Sequence, residues 1–254
     1  MPHRSLIMTD IQTKYRLRLV NFWNIDGNSR VLEVGCGHGD ATNAIGSTLK
    51  GGTILGIDSA PETSGSPHTY QQTWDRIKGM PWGNKTNAVF NTTLNSIEDE
   101  FDDVVFCHSL FYFQSKQELF QTLVKARKIG KRLLFAEWDI EPKAIDQVGH
   151  YIAVLLQSLF GQHNIQTIFT RDEFFSLASD AGWKITEWQS VDCQELEDAE
   201  WEVNNALYDL SDNVDSIPER FLRHGNLRSH LNILRSLKED KRLKSLNAFC
   251  GVGR

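Results

Sequence analysis

Short apolar runs alternate with amphipathic stretches through the first 140 residues of the chain. Five of these runs have the length and the apolar content of buried strands: 30–34, 53–57, 88–92, 104–107 and 132–136. The segments between them carry apolar residues at helical spacing: 40–49, 67–78 and 115–128. Strands that alternate with helices in this way predict a parallel sheet with helices on both faces.

Beyond residue 139 the alternation gives way to longer helical patterns. A strongly apolar helix is predicted over 150–160, and another over 171–181 with Thr170 as its N-cap. Residues 195–244 are helical and charged in pattern. Two further strands are predicted, at 183–191 and 246–252.

These elements together predict a doubly wound α/β fold with a seven-stranded, mostly parallel sheet of Rossmann-like type. No linker or internal repeat divides the sequence, so residues 1–254 are predicted to form a single domain. Three segments outside the alternation are predicted to form helical lids or caps: 10–24, 140–165 and 195–244.

Charge and cysteine usage narrow the class of function. The net charge of −6 and the pI of about 5.8 disfavour a nucleic-acid substrate, because an acidic surface repels phosphate backbones. The four cysteines are far apart and form no C-x-x-C pair, so neither a common zinc site nor a disulfide framework is indicated. The sequence predicts a cytoplasmic protein without a bound metal or a membrane partner, since no stretch has the length of a signal peptide or a membrane span.

The first chemical motif is the sequence VLEVGCGHGDAT at 31–42, where a buried strand runs into Gly35, Gly37 and Gly39. Glycine is needed where the backbone turns sharply and approaches a ligand, and the helix that follows presents free N–H groups. The pattern is G-x-G-x-G and not the G-x-G-x-x-G of dinucleotide-binding folds, which argues against a nicotinamide dehydrogenase. Glu33 precedes the loop, where it could face a cationic group such as an amino-acid ammonium.

Asp58 ends the second predicted strand, 19 residues (58 − 39) after Gly39. In doubly wound folds a carboxylate at this place accepts hydrogen bonds from ribose hydroxyls. Alone, Asp58 would more simply be a surface turn residue. Together with the glycine loop at this spacing, it indicates a ribose-binding acid.

Polar and aromatic residues crowd the carboxyl ends of the fourth and fifth strands, in FDDVVFCHSLFYF at 101–113 and AEWD at 136–139. Ligands of open α/β sheets bind outside the carboxyl ends of the strands. His108 and Tyr112 are therefore predicted to border a pocket, with Glu137 and Trp138 at the end of the next strand.

With these motifs the chain resembles the class I S-adenosylmethionine (SAM)-dependent methyltransferases over residues 30–137 and the last two strands. The glycine segment matches the first motif of that family, Asp58 its ribose-binding acid, and FDDVVFCHSL its fourth motif. The resemblance implies that SAM is the cofactor. It also implies that Cys107 and His108 contact SAM through their backbone, and that Glu33, Gly35 and Gly37 hold its methionine end. Cys36 and Gly39 of the same segment are predicted to bind the cofactor as well.

The sequence departs from the family pattern in two places. Family members often carry an acid near the end of the third strand for the adenine amino group, whereas this chain reads NTTLN, so Thr93 or a backbone group must serve. A Pro-Gly-Gly turn often precedes the fifth strand, and here only Gly130 is present.

A hydroxyl or protonated amine acceptor needs a base, and four residues are candidates: His108, Glu137, Asp139 and His150. Three of them also have a purely structural explanation. His108 could be a histidine bound to backbone at a strand end, Glu137 could pair with a lysine or arginine, and His150 could cap a helix. Tyr112 and Trp138 are predicted as pocket walls. Tyr15 belongs to an amphipathic N-terminal helix that serves either as a lid or in packing.

The sequence therefore predicts SAM-dependent methyl transfer to an oxygen or nitrogen atom of a small molecule, such as a specialised metabolite. One alternative is a methyltransferase-fold enzyme that catalyses a non-methyl reaction, a cyclisation or rearrangement, with the cofactor bound. Another is a non-catalytic cofactor-binding module, which the missing adenine acid would favour. The sequence predicts neither the acceptor nor the oligomeric state.

Overall fold

The computed structural model describes residues 11–160, 164–212 and 226–254. Seven strands form one sheet in the order β3-β2-β1-β4-β5-β7-β6, with β7 antiparallel to both of its neighbours. The strands are β1 (Arg30–Val34), β2 (Thr53–Ile57), β3 (Thr86–Val89), β4 (Phe101–Cys107), β5 (Gly130–Trp138), β6 (Ile185–Val191) and β7 (Ala248–Gly253). The predicted seven-stranded, mostly parallel sheet is confirmed.

Helices lie on both faces of the sheet and beyond its carboxyl edge. They are α1 (Ile11–Trp23), α2 (Asp40–Thr48), α3 (Tyr70–Lys78), α4 (Lys116–Ile129), α5 (Val148–Phe160), α6 (Arg171–Asp180), α7 (Asp198–Asp212) and α8 (Asn226–Glu239). Short 3-10 turns occur at Gly83–Lys85, Leu94–Ser96, Leu110–Tyr112 and Ile145–Gln147. Among the helices that the structure describes, none has both the length and the apolar character needed to cross a bilayer.

The third strand lies two residues earlier than the apolar run predicts. The prediction of 88–92 was wrong because β3 pairs with β2 from Thr86 and leaves the sheet after Val89. Phe90 stacks instead on Tyr70, with ring centroids 5.8 Å apart. Asn91 then adopts a left-handed conformation, with φ of 53°, which ends the extended backbone.

Helix α1 is anchored in the core at its carboxyl end. Leu19 and Trp23 are buried against the sheet face that α2 also covers. The Trp23 Nε1 group donates to the carbonyl of Phe135 at 3.3 Å, and Arg132 donates to the carbonyl of Trp23 at 3.1 Å. The other end of α1 reaches the carboxyl ends of β4 and β5, because Tyr15 contacts His108 there.

Helices α5, α7 and α8 share a separate apolar cluster that includes Leu156, Val203 and Leu234. A buried polar network reinforces it. Both Gln157 and Asn164 donate to Glu202 Oε2, at 2.7 and 2.8 Å. This network fixes α5 against α7.

Glu202 predicts a pH-dependent stability. Burial raises the pKa of Glu202 to about 7 from an ordinary value of 4.5, against the smaller lowering effect of its hydrogen bonds. Because the folded state holds this proton more tightly than the unfolded state, the free energy of unfolding should fall as pH rises from about 4.5 through 7. Glu202 contributes at most about 3 kcal/mol to this fall in the free energy of unfolding.

Glu202→Gln should therefore reduce the loss of stability between pH 5 and pH 8, measured by urea denaturation. Glu200→Gln, at an exposed position on the same helix, is the matched control and should leave the pH dependence unchanged. Equal pH dependence in wild type and Glu202→Gln would contradict the assignment.

Candidate active site

The carboxyl ends of four neighbouring parallel strands meet along one edge of the sheet, in the order β2-β1-β4-β5. Asp58 follows β2, the glycine loop at 35–39 follows β1, His108 follows β4, and Glu137 is the last residue but one of β5. The fold thus brings the predicted cofactor residues beside the predicted catalytic residues.

The three glycines of the loop all have positive φ but face different surroundings. A Cβ on Gly35 would lie 2.5 Å from Ser109 Cβ, and one on Gly39 would lie 2.6 Å from Ile77 Cδ1. These two glycines are required by protein packing. A Cβ on Gly37 would meet nothing closer than Tyr70, at 3.8 Å. Within this loop, Gly37 is the glycine that leaves room for a ligand.

Asp58 is held rigidly at the rim of this space. Its Oδ2 accepts from the amide of Gly37 at 2.8 Å, and its Oδ1 accepts from the amide of Ala60 at 2.9 Å. Each carboxylate oxygen keeps a second lone pair for a ligand hydroxyl. The Tyr70 ring lies beside it, and burial, with a smaller effect from Asp58, raises the pKa of Tyr70 to about 12.

Asp58→Ala is expected to weaken SAM binding about ten- to a hundredfold. The loss follows from removing charge-assisted hydrogen bonds worth about 1.5–3 kcal/mol. Calorimetric titration with SAM measures it. Asp102→Ala is a suitable control, because Asp102 also accepts from a backbone amide, that of Arg30, but lies at the start of β4. An unchanged affinity in Asp58→Ala would leave Asp58 as a turn residue only.

A buried acid, Glu33, and a buried cation, Arg16, lie near each other at the glycine loop. Glu33 is buried and accepts from the Thr42 hydroxyl. Burial raises the pKa of Glu33 to about 8, and the nearby Arg16 opposes this rise. The Nη1 atom of Arg16 is also buried and has no hydrogen-bond partner among the described residues. A carboxylate and a guanidinium together complement the ammonium and carboxylate of an amino acid.

The remaining predicted cofactor residues present little side chain to a ligand. Cys36 packs with Trp74 and Ile77, and Cys107 is buried in the core between the sheet and α1. Thr93 is exposed, four residues after β3, at the start of a 3-10 turn. Their assignment as cofactor contacts stays a prediction, which for the two cysteines would involve the backbone.

His108 lies at the centre of a polar chain. Its φ of 52° turns the side chain out of β4. The Tyr15 hydroxyl lies 2.7 Å from Nε2, and Glu137 Oε1 lies 3.4 Å from Nδ1. Glu137 is buried and also accepts from the amides of Leu110 and Trp138, both at 2.9 Å. The ion-pair partner of Glu137, among the residues that the structure describes, is thus His108 and not a lysine or arginine.

One hydrogen bond joins the Tyr15 hydroxyl to the His108 ring. Burial raises the pKa of Tyr15 well above its ordinary value, so the hydroxyl keeps its proton and can donate to His108 Nε2 when that nitrogen carries none. In that tautomer the ring proton lies on Nδ1, 3.4 Å from Glu137 Oε1, which is within ion-pair distance but is not a hydrogen bond. The Glu137 carboxylate is thus close enough to stabilise an imidazolium at His108.

His150 differs in character from His108. It is fully buried near the start of α5, and its Nδ1 accepts from the amide of Leu246 at 2.9 Å. Burial lowers the pKa of His150 to about 4, so the ring is neutral and carries its proton on Nε2. This geometry favours a hydrogen-bond donor over the base that the sequence suggested.

Tyr112 lies in the 3-10 turn that follows β4. Its pKa is raised well above the ordinary value, first by burial and then by the charges of Glu202 and Glu137, yet 42% of its surface is accessible. Its assignment as a pocket wall stays a prediction. Gln12 and Asp198, joined at 3.1 Å, link α1 to α7 at this level.

Sequence reasoning missed Arg16, Gln12, Asp198 and Glu202 as members of this site. Arg16 directly follows Tyr15 in an amphipathic helix, a weak signal that was present in the sequence. The other residues carry no local motif and reach the site only through packing of α1, α5 and α7.

Comparison with known proteins identifies related chains. The family model described as a methyltransferase domain matches residues 9–187. The protein 235L of Invertebrate iridescent virus 6, named as a candidate methyltransferase, is 27% identical over 109 residues, which are 43% of this chain and 37% of the viral protein. The match thus spans little more than a third of that relative's length.

Three solved structures share the fold. A cyclopropane-fatty-acyl-phospholipid synthase-like protein from Lactobacillus casei has 28% identity and a TM-score of 0.82, over 95% of this chain and 90% of the other. Coclaurine N-methyltransferase bound to N-methylheliamine and S-adenosylhomocysteine (SAH) has 11% identity and a TM-score of 0.58, over 100% of this chain and 75% of the other. The 4+2 cyclase SpnF has 14% identity and a TM-score of 0.56, over 95% and 80%.

Proposed function

Because this chain belongs to the methyltransferase-domain family, we propose that it transfers the methyl group of SAM to an oxygen or nitrogen atom of a small molecule. The family match covers the glycine loop, Asp58, His108 and Glu137, and it supports SAM-dependent methylation in general. The finer assignment, to an oxygen or nitrogen acceptor, depends on the chemistry at the sheet edge.

The observation that carries this assignment is the polar series Tyr15–His108–Glu137, in which His108 follows β4, the strand that pairs with β1 and its glycine loop. A base is needed when the acceptor atom carries a proton, as hydroxyls and ammonium groups do. Acceptors such as thioethers or tertiary amines carry no such proton, so their methylation would not need Tyr15, His108 and Glu137. The polar chain therefore favours an O–H or N–H acceptor.

The residues near the glycine loop fit SAM. Glu33 and Arg16 complement the two charges of its methionine end, Gly37 leaves room for the ligand, and Asp58 offers lone pairs to the ribose hydroxyls. When bound, SAM supplies a methyl group activated by its sulfonium. The protein then mainly contributes proximity and alignment.

The proton of the acceptor is removed by two residues of the protein, Tyr15 and His108. As the acceptor atom gains its bond to carbon, its proton passes to the Tyr15 oxygen, and the Tyr15 proton moves to His108 Nε2. The resulting imidazolium lies against the Glu137 carboxylate, which stabilises the positive charge. Tyr15 and Glu137 are buried and only 7% of the His108 side chain is accessible, which limits the access of water to this path.

The proposed acceptor is a small molecule, and the proposed location of the reaction is the cytoplasm. Helix α5 reaches the carboxyl edge of the sheet, where His150 contacts Trp138, and Gln12 joins α1 to Asp198 of α7, an arrangement that favours a small acceptor. The acidic net charge of −6 is unsuited to a nucleic-acid polymer.

Two measurements test the proposal. Calorimetry should detect SAM and SAH binding to the purified protein. Incubation with methyl-labelled SAM and a panel of phenols, alcohols, amines and thioethers should give label on oxygen or nitrogen acceptors, identified by mass spectrometry. Label confined to thioethers or carbon atoms, or SAM binding with conversion of a panel member but no methyl transfer, would overturn it.

A further inference from the structure

Building on the proposed function, we infer that the acceptor presents an uncharged carbonyl-type oxygen to two ring N–H groups, Trp138 Nε1 and His150 Nε2. Both atoms are buried, and neither has a hydrogen-bond partner within the parts of the chain that the structure describes. The two rings are in edge contact, with centroids 4.7 Å apart. Trp138 also lies against His108, at 5.4 Å between centroids. The unpartnered pair is thus next to the proposed base.

Both groups are donors only. Indole nitrogen always carries its hydrogen. In His150 the amide of Leu246 occupies Nδ1, which requires the proton to be on Nε2, and the pKa near 4 keeps the ring in this form above pH 5. A buried donor without a partner costs about 1–3 kcal/mol. Two such donors in contact indicate a ligand that accepts hydrogen bonds there.

The surrounding charges decide between a charged and an uncharged oxygen. Glu137, whose Oε1 accepts from the amide of Trp138 at 2.9 Å, and Asp198, whose charge acts on His150, place negative charge near the two donors. Arg16 is close to Glu33 on the cofactor side. A carboxylate ligand would be repelled by the acids, and an ammonium could not accept from the two donors. A carbonyl oxygen, as in an amide, ketone or ester, satisfies both conditions.

The test uses three probes of similar size, benzamide, benzoate and benzylamine, with the SAH-saturated protein. Dissociation constants come from NMR titration. Benzamide should bind more tightly than the other two. Trp138→Phe removes one donor and keeps an aromatic ring, and it should weaken benzamide binding roughly tenfold.

Two substitutions of His150 distinguish the contribution of its Nε2 donor from that of its Nδ1 acceptor. His150→Asn retains an acceptor near the Nδ1 position and loses the distal donor, so it should weaken benzamide binding roughly tenfold. His150→Gln retains a distal N–H donor and should bind benzamide to within about threefold of wild type. In wild type, the ¹⁵N-bound proton of His150 Nε2 should shift on addition of benzamide.

Three results would overturn the inference while leaving methyl transfer intact. These are tighter binding of benzylamine than of benzamide, unchanged benzamide affinity in both Trp138→Phe and His150→Asn, and failure of SAH-saturated wild type to bind benzamide. Affinity for SAH should be the same in all variants. A wild-type protein that binds neither SAM nor SAH would instead contradict the proposed function, and this inference with it.

Discussion

His108→Asn is expected to lower kcat about 10²- to 10⁴-fold, with little change in SAM affinity. This range is typical of the loss of a positioned general base. Asparagine is the informative replacement because His108 has a φ of 52°, which asparagine adopts readily, so the backbone after β4 should be preserved. Single-turnover methyl transfer to an acceptor found in the panel measures the effect, and calorimetry measures SAM binding.

His230→Asn is the matched control, because His230 is exposed on α8. Tyr15→Phe should also lower kcat, since it removes the hydroxyl that lies 2.7 Å from His108 Nε2. If His108→Asn retains wild-type kcat, the polar chain does not act in proton transfer and His108 has a structural role at the strand end.

Gly37→Val should reduce SAM affinity by more than a hundredfold and leave the protein folded. The valine side chain would enter the space beside Gly37, where the nearest described side chain, Tyr70, is 3.8 Å away, and would exclude the ligand. Its backbone would also be strained, because φ is 45° and a left-handed conformation costs a residue with Cβ about 1–2 kcal/mol. Calorimetry and circular dichroism give the two measurements.

A substitution at a second glycine distinguishes the effect of backbone strain from the effect of blocking the ligand. Gly182 has a φ of 89°, and a Cβ there would meet only Arg127, at 3.7 Å, on the turn before β6. Gly182→Val should therefore lower stability comparably and leave SAM affinity unchanged. Gly35→Ala should differ from both, because its Cβ would collide with Ser109 and disturb the fold itself. Normal SAM binding by a folded Gly37→Val protein would refute the proposed place of the ligand.

The sheet could be predicted well because its strands have simple boundaries. The runs at β1 and β2 end at Gly35 and Asp58, where turn and site residues interrupt the apolar sequence, and both strands match the prediction in full. The predicted position of β3 was two residues too late because Phe90 is as apolar as a strand residue but stacks on Tyr70. Periodicity records burial, and it does not distinguish a strand from an aromatic contact just beyond it.

Local sequence predicted the candidate cofactor region because each of its motifs lies next to the end of a single strand, the glycine loop after β1 and Asp58 after β2. Glycine spacing and the position of Asp58 indicated a cofactor region from local sequence alone. The partnership of Tyr15 with His108 joins residues 93 positions apart, and no local pattern encodes it. The same holds for His150, whose role depends on the amide of Leu246, 96 positions away.

The firm attachment of α1 has a consequence for the order in which ligands bind. Trp23 fixes one end of this helix to β5, while Arg16 and Tyr15 are successive residues near the other end. In the proposed function Arg16 contacts the cofactor and Tyr15 meets the acceptor. A stiff helix that carries both contacts makes the two binding events interdependent, so that SAM arriving first would set the Tyr15 hydroxyl in place and raise the affinity for the acceptor.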